Sequence, residues 1–458
     1  MQVLLISTYE LGRQPFGLAS PAAWLRRAGA LVECVDLSRH TLNAEQVRAA
    51  DMIALYVPMH TAARLAAAAM PKIRMANPRA HICFYGLYAP VNEAYFRSLG
   101  AQTILGGEFE AGLVSTFKRV RSNGNGSGPS AAQAEPVISL GKQEFIAPDR
   151  AGLPPLARYA HLNWPDGAHR TVGHTEASRG CKHLCRHCPV VPVYNGQFRI
   201  VQPEIVLEDV RGQVAAGAQH ITFGDPDFFN GPRHAMEIVT AMHREHPQVS
   251  YDVTIKIEHL LHHAALLPTL RDTGCIFVTS AAESVDDSIL ARLDKGHSYA
   301  DFVRVVELFR QSGLALSPTF VAFTPWTTIE GYCDLLARLA ELDLVENVAP
   351  IQLAIRLLIP SGSRLFELDE VRALCGPYDP AAMVYPWANA DPRLDDLGAD
   401  IQKLVRQGEK EGQSRRAIFL KVWNLTQSMV GNTARGIPAF PIRASRATIP
   451  YLNEPWYC

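Results

Sequence analysis

The chain carries almost no net charge and no long apolar run, and these two lacks narrow its partners. With 44 Lys and Arg against 45 Asp and Glu, a formal charge of −1, it offers neither a basic stripe for nucleic acid nor a polybasic anchor for a membrane. The expected partner is therefore a small molecule, with no nucleic acid and no membrane. No apolar stretch reaches the roughly 18 residues that a membrane span requires. The opening Met1-Gln2-Val3-Leu4-Leu5-Ile6-Ser7 lacks the basic start and long apolar core of a signal peptide, so it reads as a buried strand and the expected location is the cytoplasm. Disulfides are discouraged there, so the nine cysteines read as metal ligands, reactive thiols or small buried hydrophobes. Nearly half of the 458 residues are apolar, enough for sizeable cores in two or three domains.

Three of the nine cysteines stand in one short segment, Arg179-Gly180-Cys181-Lys182-His183-Leu184-Cys185-Arg186-His187-Cys188-Pro189. Thiolates spaced CxxxCxxC can hold three irons of a cubane 4Fe-4S cluster, and no fourth cysteine follows at short range to close the site. The iron left open is where S-adenosylmethionine would bind. A zinc site completed by His183 or His187 is the competing reading. Of the other cysteines, Cys34, Cys83, Cys275 and Cys333 stand in apolar contexts and read as buried hydrophobes.

Residues 1–121 alternate short apolar runs (3–6, 31–35, 53–57, 82–85, 103–105) with helical patterns, which argues for βαβ units and a doubly wound parallel sheet. The Asn-Gly and Gly-Ser-Gly-Pro content of 122–135 marks a flexible linker, and 136–167 connects onward. From 168 to 370 six strand-helix units are expected, with strands at 173–178, 219–223, 251–255, 276–280, 314–321 and 351–358. They predict a partial (β/α)6 TIM-like barrel whose functional loops sit at the strand C-termini. That rule puts the cysteine loop, Gly224-Asp225-Pro226-Asp227, Lys256 with Glu258, and Glu283 around one opening. Residues 371–458 read as a mainly helical region, with amphipathic stretches at 397–411 and 416–429 and a tail that covers the barrel mouth. Gly106-Gly107-Glu108 reads as a ligand approach or as turn chemistry. His259, His262 and His263 read as surface or packing residues.

The cysteine segment resembles the radical S-adenosylmethionine superfamily, and the likeness continues through Thr222-Phe223-Gly224-Asp225-Pro226-Asp227 and Glu283-Ser284 to Leu293-Asp294-Lys295-Gly296-His297. The resemblance implies a 4Fe-4S cluster on Cys181, Cys185 and Cys188, with S-adenosylmethionine as second cofactor and a flavodoxin or ferredoxin as electron donor. It places Gly224-Asp225-Pro226 where the family has Gly-Gly-Glu, so that the Asp225 carboxylate or nearby carbonyls receive the methionine ammonium; a helix cap or Asx turn is the alternative for Asp225 and Asp227. Glu283 would accept ribose hydroxyls or make a salt bridge. Lys256 and Arg356 would each bind a carboxylate of S-adenosylmethionine or of substrate. His187 stands where the family often has an aromatic residue whose backbone meets adenine.

The N-terminal region resembles the cobalamin-binding-like domain that precedes many such barrels. The Asp-x-His-x-x-Gly motif is absent, with Tyr9-Glu10-Leu11-Gly12 in its place, which leaves cobalamin doubtful and suggests a domain kept for packing or shielding. Asn453-Glu454-Pro455-Trp456-Tyr457-Cys458 looks like the start of the Cys-Cys-Ala-Glu-Pro or Cys-selenocysteine-Ala-Glu-Pro tail of one subgroup, similar to arsinothricin-forming enzymes. That likeness implies delivery of a thiophilic substrate such as arsenite by Cys458 and transfer of a 3-amino-3-carboxypropyl group to it. A cobalamin-dependent methyltransferase, a 5'-deoxyadenosyl-radical enzyme on another small molecule and a non-catalytic metal or redox sensor are the alternatives.

Overall fold

Two parallel sheets are built from the two apolar patterns, and their strand C-termini face one another. The structure, a computed structural model, describes residues 1–123, 135–430, 436 and 449–453. The first sheet comprises β1 (Gln2–Ser7), β2 (Leu31–Asp36), β3 (Met52–Tyr56), β4 (His81–Tyr85), β5 (Thr103–Gly107) and β6 (Ile138–Ser139), in the order β2-β1-β3-β4-β5-β6 and parallel throughout. Its central strands are apolar on both faces because helices cover both. Leu4, Ile6, Ile53 and Ile82 enter one core, and Val3, Leu5, Met52 and Ala54 the other. The chain order reverses direction between β1 and β3, the position where sheets of this kind hold ligands.

The second sheet is antiparallel at one end and parallel in its body. It runs β14 (Ala315–Phe320), β13 (Cys275–Glu283), β12 (Ser250–Thr254), β11 (His220–Phe223), β8 (His169–Thr175), β7 (His161–Asn163), β15 (Tyr451–Leu452), with β7 antiparallel to β8 and β15 antiparallel to β7. The segment expected only to connect, 136–167, thus supplies β6 to one sheet and β7 to the other. Five parallel strands with helices outside form a partial barrel, as the periodicity predicts. The sixth expected strand, 351–358, does not form. Pro350 opens a 3-10 turn, Pro350–Leu353, and only Arg356 bridges to Phe323, with Leu357 donating its amide to Phe323 and Phe323 donating to Ile355. The 3-10 turn takes up the first half of the segment, and the rest makes this one bridge.

The open side of the barrel is closed by two amphipathic helices, Pro392–Lys410 and Arg415–Val430. Leu397, Ile401 and Val405 of the first and Ile418, Val422 and Trp423 of the second belong to the barrel's own core. The helices Pro392–Lys410 and Arg415–Val430 therefore form a lateral wall, while most of the tail expected over the mouth lies outside the described residues. The expected linker lies almost wholly outside the described residues, as does Cys458. Among the described residues no helix is long and apolar enough to cross a membrane.

Candidate active site

The cysteine loop springs from a two-stranded hairpin, β9 (Ser178–Gly180) with β10 (Phe198–Ile200). Gly180 ends β9 at φ +76°, and a Cβ there would stand 2.4 Å from the Tyr194 ring and 2.5 Å from the Gln197 carbonyl. No other residue fits this turn. The loop is then held at both ends. Cys181 donates its amide to Gln197 (3.1 Å) and Arg186 donates its amide to Leu293 (2.9 Å), while the Arg186 guanidinium bonds the Arg292 carbonyl at 3.1 Å.

Cys185 is buried and Cys181 and Cys188 half-buried. Burial pushes the Cys181 thiol up to about 11 and the Cys188 thiol up to about 12, against the nearby cations Lys256 and Lys295 respectively, which pull them down. A metal centre must therefore displace protons to bind here. Three thiolates on a single zinc would bring their sulfurs to about 3.8 Å of one another. Among the described residues, however, the one group of three donors within 4.8 Å contains no cysteine. His187 turns to Glu283 and His183 turns away to His259, so neither completes a zinc set. Three soft donors spread over one loop fit the face of a cube.

Glu283 sits at the end of β13 at φ +64°, where the register with β14 shifts. Lys295 and His187 each donate to its Oε1 at 3.1 Å, leaving Oε2 for a ligand. Burial alone would raise this carboxyl, but Lys295 and then His187 hold it well below the usual carboxylate range.

Asp225 is committed elsewhere. Its two oxygens accept from the Ser178 hydroxyl (2.5 Å) and the Ala177 amide (2.9 Å), tying β11 to the root of the cysteine loop. Burial raises it to about 7. Its carboxylate is thus engaged within the protein, and beside it the missing Cβ of Gly224 leaves room for His174 Nε2, 2.4 Å from where that atom would stand. Arg356 is likewise corrected. It donates to Asp395 and to the Trp387 carbonyl, each at 2.6 Å, with Trp387 stacked 3.5 Å from its guanidinium. It pins the C-terminal wall instead of facing the barrel interior.

Lys256 is buried and gives its ammonium to His183 Nδ1 (2.9 Å) and Glu258 (3.1 Å). His183 Nε2 lies 3.3 Å from His259 Nε2, and His259 Nδ1 lies 2.7 Å from Asp227 Oδ2. Burial first, and then Lys256, lower His183 to about 4. His259, expected at the surface or in packing, is buried within this chain. Its partners come from two other strand ends, so no local spacing reveals it.

A second group that the sequence conceals closes the space between the two sheets. Arg179 reaches across to Glu110 with two bonds (2.7 and 2.9 Å), to Glu108 at 3.4 Å and back to Glu176 at 2.7 Å, between the rings of Phe109 and Phe145. One guanidinium serves three carboxylates. The doubly bonded Glu110 is held low, while burial drives Glu108 up to about 7. Gly107 serves packing, since a Cβ at its φ of +70° would meet the Ser139 carbonyl at 2.2 Å. What remains between the sheets, along Tyr56, Phe109, Glu176 and Arg179, is a cavity of about 170 Å³. A larger one, about 410 Å³, lies against the inner faces of β12, β13 and β14, with Thr254, Thr279 and Ser317 on one wall and Arg13, Arg406 and Lys410 on the others.

Comparison with known proteins agrees with this geometry. A family model described as the radical SAM superfamily matches residues 175–329. Among curated proteins, the tRNA-2-methylthio-N(6)-dimethylallyladenosine synthase of Desulfosudis oleivorans is 26% identical over 200 residues, 41% of this chain and 40% of that protein. The hopanoid C-3 methylase of Methylococcus capsulatus is 25% identical over 151 residues, 33% of this chain and 29% of that protein. The chain thus matches less than half the length of either relative. Among solved structures, the cobalamin-dependent S-adenosylmethionine radical enzyme OxsB, with aqua-cobalamin and S-adenosylmethionine bound, superposes with a TM-score of 0.68 at 13% identity, covering 94% of this chain and 71% of that one. The radical S-adenosylmethionine methyltransferase TsrM from Kitasatospora setae gives 0.64 at 15% identity, with 88% of each chain covered. These likenesses are likenesses of fold.

Proposed function

With residues 175–329 forming a radical SAM domain, we propose that the protein is an enzyme that cleaves S-adenosylmethionine reductively and passes the resulting fragment to a small anionic substrate. The observation that carries this reading is the cysteine loop, with three thiols presented from a glycine-dependent turn at the strand ends and, among the described residues, no fourth ligand drawn in. Cys181, Cys185 and Cys188 would hold a 4Fe-4S cluster. When bound, such a cluster supplies an electron to the sulfonium of S-adenosylmethionine and breaks one of its carbon–sulfur bonds.

The protein's own residues bind and orient. Glu283 Oε2 is placed to accept a hydroxyl of the nucleoside, since Oε1 is taken by Lys295 and His187. Backbone at Gly224 is left for the methionine end because the Asp225 carboxylate is spent on Ser178 and Ala177. Arg13, Arg406, Lys410 and Arg415 outnumber Asp252 and Glu409 around the 410 Å³ cavity, a net positive lining that favours an anionic substrate. An electron donor of the flavodoxin or ferredoxin kind completes the cycle.

The finer reading is transfer of a 3-amino-3-carboxypropyl group to a thiophilic acceptor such as arsenite, with Cys458 delivering it. It is supported by the likeness of the C-terminal residues alone. The dimensions of the described interface argue against cobalamin there. Small-molecule sites occupy about 300–1,000 Å³, whereas the space between the sheets is about 170 Å³ and is crossed by the Arg179 ion pairs. The test is to identify the nucleoside released when anaerobically reconstituted, reduced protein meets S-adenosylmethionine. Methylthioadenosine supports aminocarboxypropyl transfer and 5'-deoxyadenosine supports hydrogen abstraction. Release of neither overturns the enzymatic reading.

A further inference from the structure

We propose that His183, His259 and Asp227 form a second, mononuclear site for a divalent first-row transition metal such as Zn²⁺ or Fe²⁺, beside the three cluster cysteines and sharing none of them. Their donor atoms lie within 4.8 Å of one another. His183 Nε2 stands 3.3 Å from His259 Nε2 and 3.8 Å from Asp227 Oδ2. Ligands at about 2.0–2.1 Å from a tetrahedral ion are about 3.3 Å apart, so a metal needs only small shifts to seat itself.

The carboxylate is the second, independent indication. The Asp227 side chain is only 2% exposed. Its Oδ1 accepts the Phe229 amide at 3.1 Å, but Oδ2 accepts no hydrogen bond. His259 Nδ1 lies 2.7 Å away, yet it too makes no hydrogen bond, because the ring N–H is not aimed at the oxygen. A buried anionic oxygen without a donor is costly, and a cation between the three residues removes that cost.

The three ligands come from three separate segments. His183 is in the cysteine loop, Asp227 follows β11, and His259 lies in the helix Ile257–His262 after β12. None is a sulfur, and two imidazoles with one carboxylate suit Zn²⁺ or Fe²⁺ with positions left open for solvent or substrate. A metal on His183 Nε2 requires a proton on Nδ1. Lys256 Nζ must then release its 2.9 Å bond to that atom, and Glu258 Oε2, 3.7 Å from Nδ1 and 3.1 Å from Lys256 Nζ, must close on the imidazole N–H by a side-chain shift to give the carboxylate–histidine–metal arrangement common around such sites.

The site does not depend on the cluster, and the experiment separates the two. A full-length C181A/C185A/C188A variant, stripped with chelator and titrated anaerobically with Co²⁺, is expected to bind one equivalent with visible ligand-field bands. Adding D227A or H259A should weaken binding by more than the roughly 10–100-fold typical of an outer-sphere change. Absence of a Co²⁺ site in the triple variant, or binding unaffected by both further changes, overturns the proposal. Should the triple variant not fold by circular dichroism, metal analysis of the reconstituted wild type decides. One metal beyond the iron matched by sulfide, lost in D227A, supports the site; no excess in the wild type refutes it.

Discussion

The two sheets obey one construction rule and reach opposite outcomes. Each is parallel, each carries its loops at the strand C-termini, and each presents those ends to the other. At the barrel end, β9, β11, β12 and β13 carry the cysteine loop, Gly224, Lys256 and Glu283 at their C-termini. At the end of the first sheet, Tyr56, Phe109, Glu108 and Glu110 fill the crevice, and Arg179 from the barrel side locks it. A ligand-binding topology can thus be kept while its crevice is used as an interface. The Tyr9-Glu10-Leu11-Gly12 turn makes the same point. Glu10 is buried 3.6 Å from His174 on β8, within the seam between the sheet and the barrel.

This contrast can be broken from either side. The largest effect is expected at the open end: alanine at Cys181, Cys185 or Cys188 should abolish cluster assembly and S-adenosylmethionine cleavage altogether, read as iron and sulfide content and nucleoside release. At the filled end, R179M strands three buried carboxylates and should cost about 3–5 kcal/mol in urea unfolding. Adding E110Q should recover part of that loss, and a strictly additive double variant would disprove the coupling. G180A forces a side chain into the Tyr194 ring at positive φ. A loss of about 1–3 kcal/mol is expected, with cluster content falling more than stability alone explains.

The last effect concerns pH and is read as a slope rather than as a single loss. Asp225 is raised to about 7 by burial, above its unfolded value of about 3.9. Folding therefore favours its protonated form. The stability it contributes is full below about pH 4 and is lost as pH rises to about 7, at no more than about 1.4 kcal/mol per pH unit. D225N should flatten that slope in unfolding measured across the window, and an unchanged slope would show that Asp225 is not its source.

What was legible in the sequence was whatever lies close along the chain. The apolar runs of both sheets, the CxxxCxxC spacing and the amphipathic C-terminal helices are local patterns, and the observed elements follow them within a few residues. What stayed hidden needs distant segments to meet. Arg179 and Glu110 are 69 residues apart, and His183 and His259 are 76 apart. Asp225 and Arg356 are charged residues beside predicted strand ends, where the sequence cannot say whether a partner already waits; Ser178 and Asp395 do. The expected strand at 351–358 failed because its apolar composition is that of a strand, whereas the 3-10 turn takes up its first half.

On the proposed function, the lateral wall made by the helices Pro392–Lys410 and Arg415–Val430 would divide the labour of the enzyme between two stretches of chain. Bond-breaking equipment belongs to the barrel strands and their loops, whereas Arg406 and Lys410 arrive on a segment that contributes nothing to the cysteine loop. Such a partition lets acceptor preference drift independently of radical generation. A chain with this barrel and a different closing helix pair would keep the same cleavage and choose another recipient.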